Sequence, residues 1–296
     1  MFASASCNVA YLASIATRDE QTMAAIGVKF WGVRGSIACP SPAYAGFGGN
    51  TSCVQVEIDG LQIILDSGTG IRGLGQELLA RQQRQSTLLL THVHWDHTNG
   101  FPFFGPVYSA SCGMHIMAGN LSDIGGIREA LAGQMAAPNF PVPLDALHAK
   151  LEFTDFNAGD SFSLSPSVNV RTARLNHPDG ASGYRIEHGG RAVCYVTDTE
   201  HTPGQLDQNV LGLIDGADLV IYDCTYTDDE FPAHVGWGHS TWQEGIRLCQ
   251  HANAKRLAIF HHDPDHDDRV MANLEADAQK VWSEAFAARE GMSLTL

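Results

Sequence analysis

From residue 26 onward, short apolar runs alternate with turn signals and stretches of helical periodicity, and neither an internal repeat nor a low-complexity linker interrupts them. Cys53–Ile58 and Leu61–Leu65 are apolar runs joined by Asp59-Gly60. That dipeptide tolerates the positive φ of a type I′ turn, so the pair is predicted to form a hairpin that ends in Asp66. After a glycine-rich turn, Leu74, Leu78 and Leu79 recur at helical spacing, and Ser86–Leu90 then predicts a buried strand running into THVHWDH. Further strands are expected at Val168–Leu175, Tyr184–Glu187, Ala192–Val196, Leu219–Tyr222 and Leu257–Phe260. A helix is expected near Ile124 to Met135. A closing one is expected over Arg269–Glu290, with Val270, Leu274, Val281 and Trp282 on one face and Gly291 just past its end. This pattern predicts an α/β unit over residues 26–296, preceded by a weakly structured extension over residues 1–25 in which Met23 offers a second start.

Composition narrows the class. With 44% hydrophobic and 17% charged residues in 296, the chain has the make-up of a soluble globular protein. A formal charge of −15 repels a long nucleic acid, so no long nucleic acid is expected as partner. A small anion stays open as substrate, because bound cations reverse the local sign. The 7 cysteines are scattered and never spaced as CxxC, which points to a reducing cytoplasm rather than a disulfide framework. No apolar run is long enough for a membrane span.

The densest chemistry is His92-Val-His94-Trp-Asp96-His97, four metal-capable side chains directly after a strand. Buried together without a cation they would desolvate and repel one another. Their spacing lets His92 and His94 converge on one ion while Asp96 and His97 face a second. Imidazole and carboxylate suit Zn²⁺, with Mn²⁺ or Fe²⁺ as alternatives. A second constellation pairs Asp223, at a strand end, with His239 sixteen residues on, in GWGHSTWQE. There Ser240 and Gln243 have capping-box spacing and Trp242, Ile246 and Cys249 share a helical face, so His239 is expected immediately before a helix. Arg34 and Asn50-Thr51-Ser52 are either donors to a small anion or turn residues. His266 with Asp263, Asp265, Asp267 and Asp268 reads as a solvated acidic loop. Residues 101–150 read as an insertion beside the site, either a lid or a packing segment, whose FPFF and NFPVPL pieces would cover a pocket or form a homodimer surface.

THVHWDH resembles the HxHxDH signature of the metallo-β-lactamase superfamily, and further superfamily positions follow in order. The resemblance implies a four-layer αββα sandwich and a two-metal site. In it Asp66 of LDSGTG would orient a ligand imidazole, and His177 of LNHP would join His92 and His94 on one ion. His261 of LAIFHH would join Asp96 and His97 on the other, with Asp198 of YVTDTE bridging them. Strand alternation allows only one of His261 and His262 to face the metal, and matching to the family's strand-then-histidine pattern selects His261. The Asp223/His239 pair is similar to that of the phosphodiesterase branches, ribonuclease Z and the phosphoribosyl cyclic phosphate phosphodiesterases. His239 would there protonate the departing alkoxide, and the expected catalytic residues are His239, Asp223 and Asp96. The implied function is hydrolysis of a small, cyclic phosphodiester by a metal-activated water. A lactonase or thioesterase, an RNA-processing nuclease and a non-hydrolytic di-iron redox module are the alternatives.

Overall fold

The computed structural model describes residues 25–296, so residues 1–24 of the expected extension lie outside the described residues. The first sheet contains β1 (Gly27–Gly32), β2 (Cys53–Ile58), β3 (Leu61–Leu65), β4 (Gln85–Leu90), β5 (Gly113–Gly119) and β6 (Lys150–Phe156) in that spatial order, with β14 (Ser293–Thr295) beside β1. The second runs β7 (Ser161–Ser165), β8 (Val168–Leu175), β9 (Ala181–His188), β10 (Arg191–Val196), β11 (Leu219–Asp223), β12 (Leu257–Phe260) and β13 (Ala285–Ala287). The helices are α1 (Ile71–Ala80), α2 (Trp95–Thr98), α3 (Ile127–Gln134), α4 (Gln208–Ile214), α5 (Trp242–His251) and α6 (Asp268–Val281). At the β2–β3 turn Asp59 and Gly60 both take positive φ, 49° and 82°, as a type I′ hairpin requires.

Strand alternation explains the layering. In β4, Leu89 faces a core shared by the two sheets, while Leu88 and Leu90 face a core covered by α1, α3 and the short turns between them. In β11, Leu219 and Ile221 face the shared core and Val220 and Tyr222 pack under α4, α5 and α6. The apolar runs of β4 and β11 are continuous because both faces of these strands are buried. Three cores between four layers make the αββα sandwich. Each fully buried leucine or isoleucine in it contributes about 1.5–3 kcal/mol relative to exposure. Among the described residues no helix is long and apolar enough to cross a membrane.

Several local expectations are corrected. The last helix stops at Val281, because Trp282 turns extended, with φ −151° and ψ 113°. Ala285–Ala287 then adds a strand parallel to β12, and Gly291 sits in the turn before β14. The expected helix at 124–135 divides into a short 3-10 turn at Ser122–Ile124 and α3, separated by Gly125 and Gly126, both at positive φ. Residues 101–150 supply β5 itself, and Phe101, Phe104, Val107, Ile127 and Leu131 are buried in the outer core. This segment packs, and only Asn120–Ile124 reaches the cavity beside His92 and His94.

Candidate metal centre and acid pair

The donors gather at strand ends. Asp66 and His261 directly follow β3 and β12, Asp198 stands two residues past β10, and all three take the left-handed backbone region, with φ of 59°, 59° and 60°. A non-glycine residue held there costs roughly 1–3 kcal/mol. The turn carries each side chain out of the strand's alternation and into one cleft. At His261 it also separates adjacent histidines: Nε2 of His261 lies 3.2 Å from Asp96 and 3.4 Å from Asp198. His262 faces the other way, donating from Nε2 to the Ala288 carbonyl at 2.8 Å. Burial, with Arg34 beside it, pushes its pKa down to about 3.

Neighbours outside the cleft set the imidazole tautomers. His97 Nδ1 donates to Asp66 Oδ2 at 2.7 Å, and His177 Nδ1 to the Gly238 carbonyl at 2.8 Å. Thr91 spends its hydroxyl proton on Asp66, so His92 Nδ1 donates to Thr91 Oγ1 at 3.0 Å. Thr225 likewise donates to Asp223 at 2.8 Å and accepts from His261 Nδ1 at 3.0 Å. With all four Nδ1 atoms carrying hydrogen, four Nε2 lone pairs point inward. Gly238 is needed for one of these contacts, since its φ is +85° and a Cβ there would stand 2.2 Å from His177 Nδ1.

The inward atoms form two groups. Donor atoms of His92, His94 and His177 lie within 4.8 Å of one another, as do those of Asp96, His97, Asp198 and His261. Asp198 sits between them: Oδ1 is 3.9 Å from His92 Nε2 and 3.8 Å from His177 Nε2, and Oδ2 is 3.1 Å from His97 Nε2. The buried Nε2 atoms of His92 and His97 have no hydrogen-bond partner. Converging imidazole nitrogens and carboxylates are a set of donors for cations, and the residues fit two divalent ions. Their charges respond accordingly. Burial opposes ionisation of His97, but Asp198, Asp96 and Asp66 outweigh it and raise its pKa well above the usual histidine range. Burial likewise opposes charge on Asp198 and Asp96, yet the surrounding imidazoles hold both well below the usual carboxylate range.

Beside this centre, His239 Nδ1 donates to Asp223 Oδ2 at 2.9 Å. Asp223 is fully buried and accepts further from Thr199 N–H at 3.2 Å and from Thr225 N–H at 3.1 Å. Burial works against a charged His239, but Asp223, with Asp198 and Asp96 behind it, raises its pKa to about 9. Asp198, Asp223, His239 and His261 form a third group of mutually close donors, which seats the Asp223–His239 pair against the candidate metal donors.

The beta-lactamase superfamily domain model matches residues 62–262, the stretch that holds every donor described above. The chain belongs to the metallo-β-lactamase superfamily. A Ribonuclease Z of Bradyrhizobium sp. (strain ORS 278) is 25% identical over 288 residues, covering 81% of this chain and 92% of that protein. The metallo-β-lactamase fold protein YhfI of Bacillus subtilis superposes with a TM-score of 0.71 at 18% identity, covering 92% of this chain and 100% of that one. A diphosphatase described as a member of the PhnP family superposes with a TM-score of 0.67 at 15% identity, covering 91% and 97%. With this superfamily and these enzyme relatives, the chain is placed among the hydrolases.

The fold thus brings together His92, His94, Asp96, His97, His177, Asp198 and His261, with Asp223 and His239 alongside. Other expectations change. Arg34 is fully buried and ties loops together through the carbonyls of Gly48, Asp263 and His266 at 2.9, 2.9 and 2.7 Å. Asn50 is held by Glu290, and Thr51 and Thr69 exchange bonds. The acidic loop is structural, since His266 is buried on Glu230, Asp267 caps α6 and Asp268 accepts from Gly46 and Phe47. Thr241, not Ser240, caps α5 by accepting from Glu244 N–H, so His239 lies two residues before the cap. The sequence reading missed Thr91, Thr225 and Tyr195, whose hydroxyl donates to Asp66 at 2.9 Å. The threonines' only signal was position: Thr91 stands between β4 and His92, and Thr225 lies two residues past Asp223.

Proposed function

We propose that the chain is a metal-dependent phosphodiesterase acting on a small substrate, a cyclic phosphodiester among the candidates. His92, His94 and His177 would hold one cation, Asp96, His97 and His261 the other, with Asp198 between them. Bound there, two Zn²⁺ ions, or Mn²⁺ or Fe²⁺, would polarise the phosphoryl group and acidify a water. The residues do the rest. Asp66, Thr91, Thr225 and the Gly238 carbonyl keep the imidazoles oriented, and His239 delivers a proton to the leaving oxygen while Asp223 holds its ring.

The observation that carries this reading is the Asp223–His239 pair set against the metal donors. An alkoxide leaves a phosphodiester poorly unless protonated, whereas a lactone or thioester needs no such donor, and a positioned acid contributes about 10²–10⁴-fold. The test compares His239→Ala with the parent on alkyl and nitrophenyl phosphodiesters, with lactones and thioesters in the same panel. Turnover should fall much further on the alkyl ester, because nitrophenolate needs little protonation. Equal losses on both esters would remove the proton-donor role, and turnover confined to lactones or thioesters would overturn the reading. A second reading, cleavage of RNA, is favoured by the likeness to Ribonuclease Z over 81% of the chain. It requires RNA binding that weakens steeply with salt, against a formal charge of −15.

A further inference from the structure

The cleft over the metal donors, about 460 Å³, is lined by His94, Asp96, His177, Asp198 and His239 and also by two tryptophans, Trp95 and Trp237. Both indoles are largely open, 80% and 62% exposed. Single exposed apolar side chains are ordinary on a surface, but two indoles on the lip of one reactive cleft are a different matter. Neither is a loose appendage. Trp95 opens α2 between His94 and Asp96, so its backbone is fixed by two metal donors. Trp237 is held between Gly236 and Gly238, at φ of 91° and 85°, whose N–H groups both donate to Glu200 Oε2, at 2.7 and 2.9 Å. Its ring also meets His234 edge-on at 5.1 Å, and His234 stacks on Tyr226 at 4.2 Å. The backbone order needed to present both rings is therefore in place before anything binds.

Among the described residues lining this cleft there is no lysine or arginine. Past the metals, affinity must then come from apolar contact rather than from further phosphate charge. Resting on the phosphodiesterase reading above, we infer that Trp95 and Trp237 are specificity residues that take a planar ring of the substrate, so that the substrate class is a single-phosphate ester carrying a nucleobase. Bases stack on tryptophan faces whatever their identity, so this predicts a preference for nucleosides over sugars and little discrimination among bases.

The test uses zinc-reconstituted protein and two matched ester pairs: adenosine 2′,3′-cyclic phosphate against glycerol 1,2-cyclic phosphate, and thymidine 5′-(p-nitrophenyl phosphate) against methyl p-nitrophenyl phosphate. Within each pair the nucleoside ester should have the higher kcat/KM. That ratio should fall about 5- to 100-fold in Trp95→Ala and in Trp237→Ala, mainly through KM, and recover in part in Trp237→Phe. Zinc content, measured alongside, should match the parent's. Quenching of indole fluorescence by adenosine 5′-monophosphate, with ribose 5-phosphate as control, gives a reading independent of turnover. If no ester is hydrolysed but the nucleotide quenches the parent and not the variants, the ring site stands and the phosphodiesterase reading fails. If esters are hydrolysed with ratios near one, or ratios that the variants leave alone, the ring site is overturned. A salt-sensitive preference for long RNA, or a dimer that dissociates in Trp237→Ala, overturns it as well.

Discussion

Asp66→Asn isolates what the surroundings of the metal donors contribute, because asparagine keeps the size of aspartate and tolerates the φ of 59° found there. The carboxylate accepts from four donors: His97 Nδ1 at 2.7 Å, Tyr195 hydroxyl at 2.9 Å, Thr91 N–H at 2.8 Å and the Thr91 hydroxyl at 3.0 Å. An amide offers one oxygen. If that oxygen faces Thr91, the amide nitrogen confronts His97, whose ring must then put its hydrogen on Nε2 and lose its inward lone pair. If it faces His97, the amide nitrogen confronts Thr91 N–H, and a buried donor goes unpaired at a cost of about 1–3 kcal/mol. Loss of such an orienting partner lowers metal affinity about 10–100-fold, or roughly 1.4–2.7 kcal/mol. Competition against a chromophoric chelator measures the affinity, and melting of chelated protein separates any general loss of stability. An unchanged zinc affinity in a folded Asp66→Asn protein would refute the claim that tautomer control holds the site.

Three further outcomes follow from the geometry. Asp198→Ala should lower the zinc bound per chain, measured by elemental analysis, and abolish phosphodiester turnover, since its two oxygens face both donor groups. Gly238→Ala should weaken the ion nearest His177 while sparing the overall fold, because a Cβ there meets His177 Nδ1 at 2.2 Å; chelator competition and circular dichroism read the two effects. His262 has a folded pKa of about 3 against 6.5 for the free group, so the unfolded chain binds its proton first as pH falls. Its contribution is complete above pH ~6.5 and is lost progressively toward pH ~3, about 2 kcal/mol by pH 5. Urea unfolding of chelated protein at pH 7.5 and 5 should therefore show a smaller acid loss in His262→Gln, and equal losses would contradict the burial argument.

The parts legible in the sequence were those whose cause is local. His92, His94, Asp96 and His97 share one short loop, and the apolar runs before Asp66, Asp198, Asp223 and His261 mark strands whose ends share one edge of the sandwich. What escaped depends on distant partners. Arg34 is a ready anion donor until carbonyls 229 and 232 residues away claim it. Ala285–Ala287 has poor strand propensity and is extended because β12 offers it an edge. Thr91 and Thr225 look like ordinary polar residues, and their importance appears only once the rings beside them are seen to need a fixed tautomer.

Thr225 carries a wider meaning. Its hydroxyl stands between His261 and Asp223, receiving from the first and giving to the second, and Asp223 in turn grips His239. Were a cation to draw electron density from His261 at its inner nitrogen, the pull would pass outward through that oxygen and leave the carboxylate a weaker hold on the His239 ring. On the proposed reading, filling the centre would make His239 a readier proton donor, tying acid strength to readiness for attack.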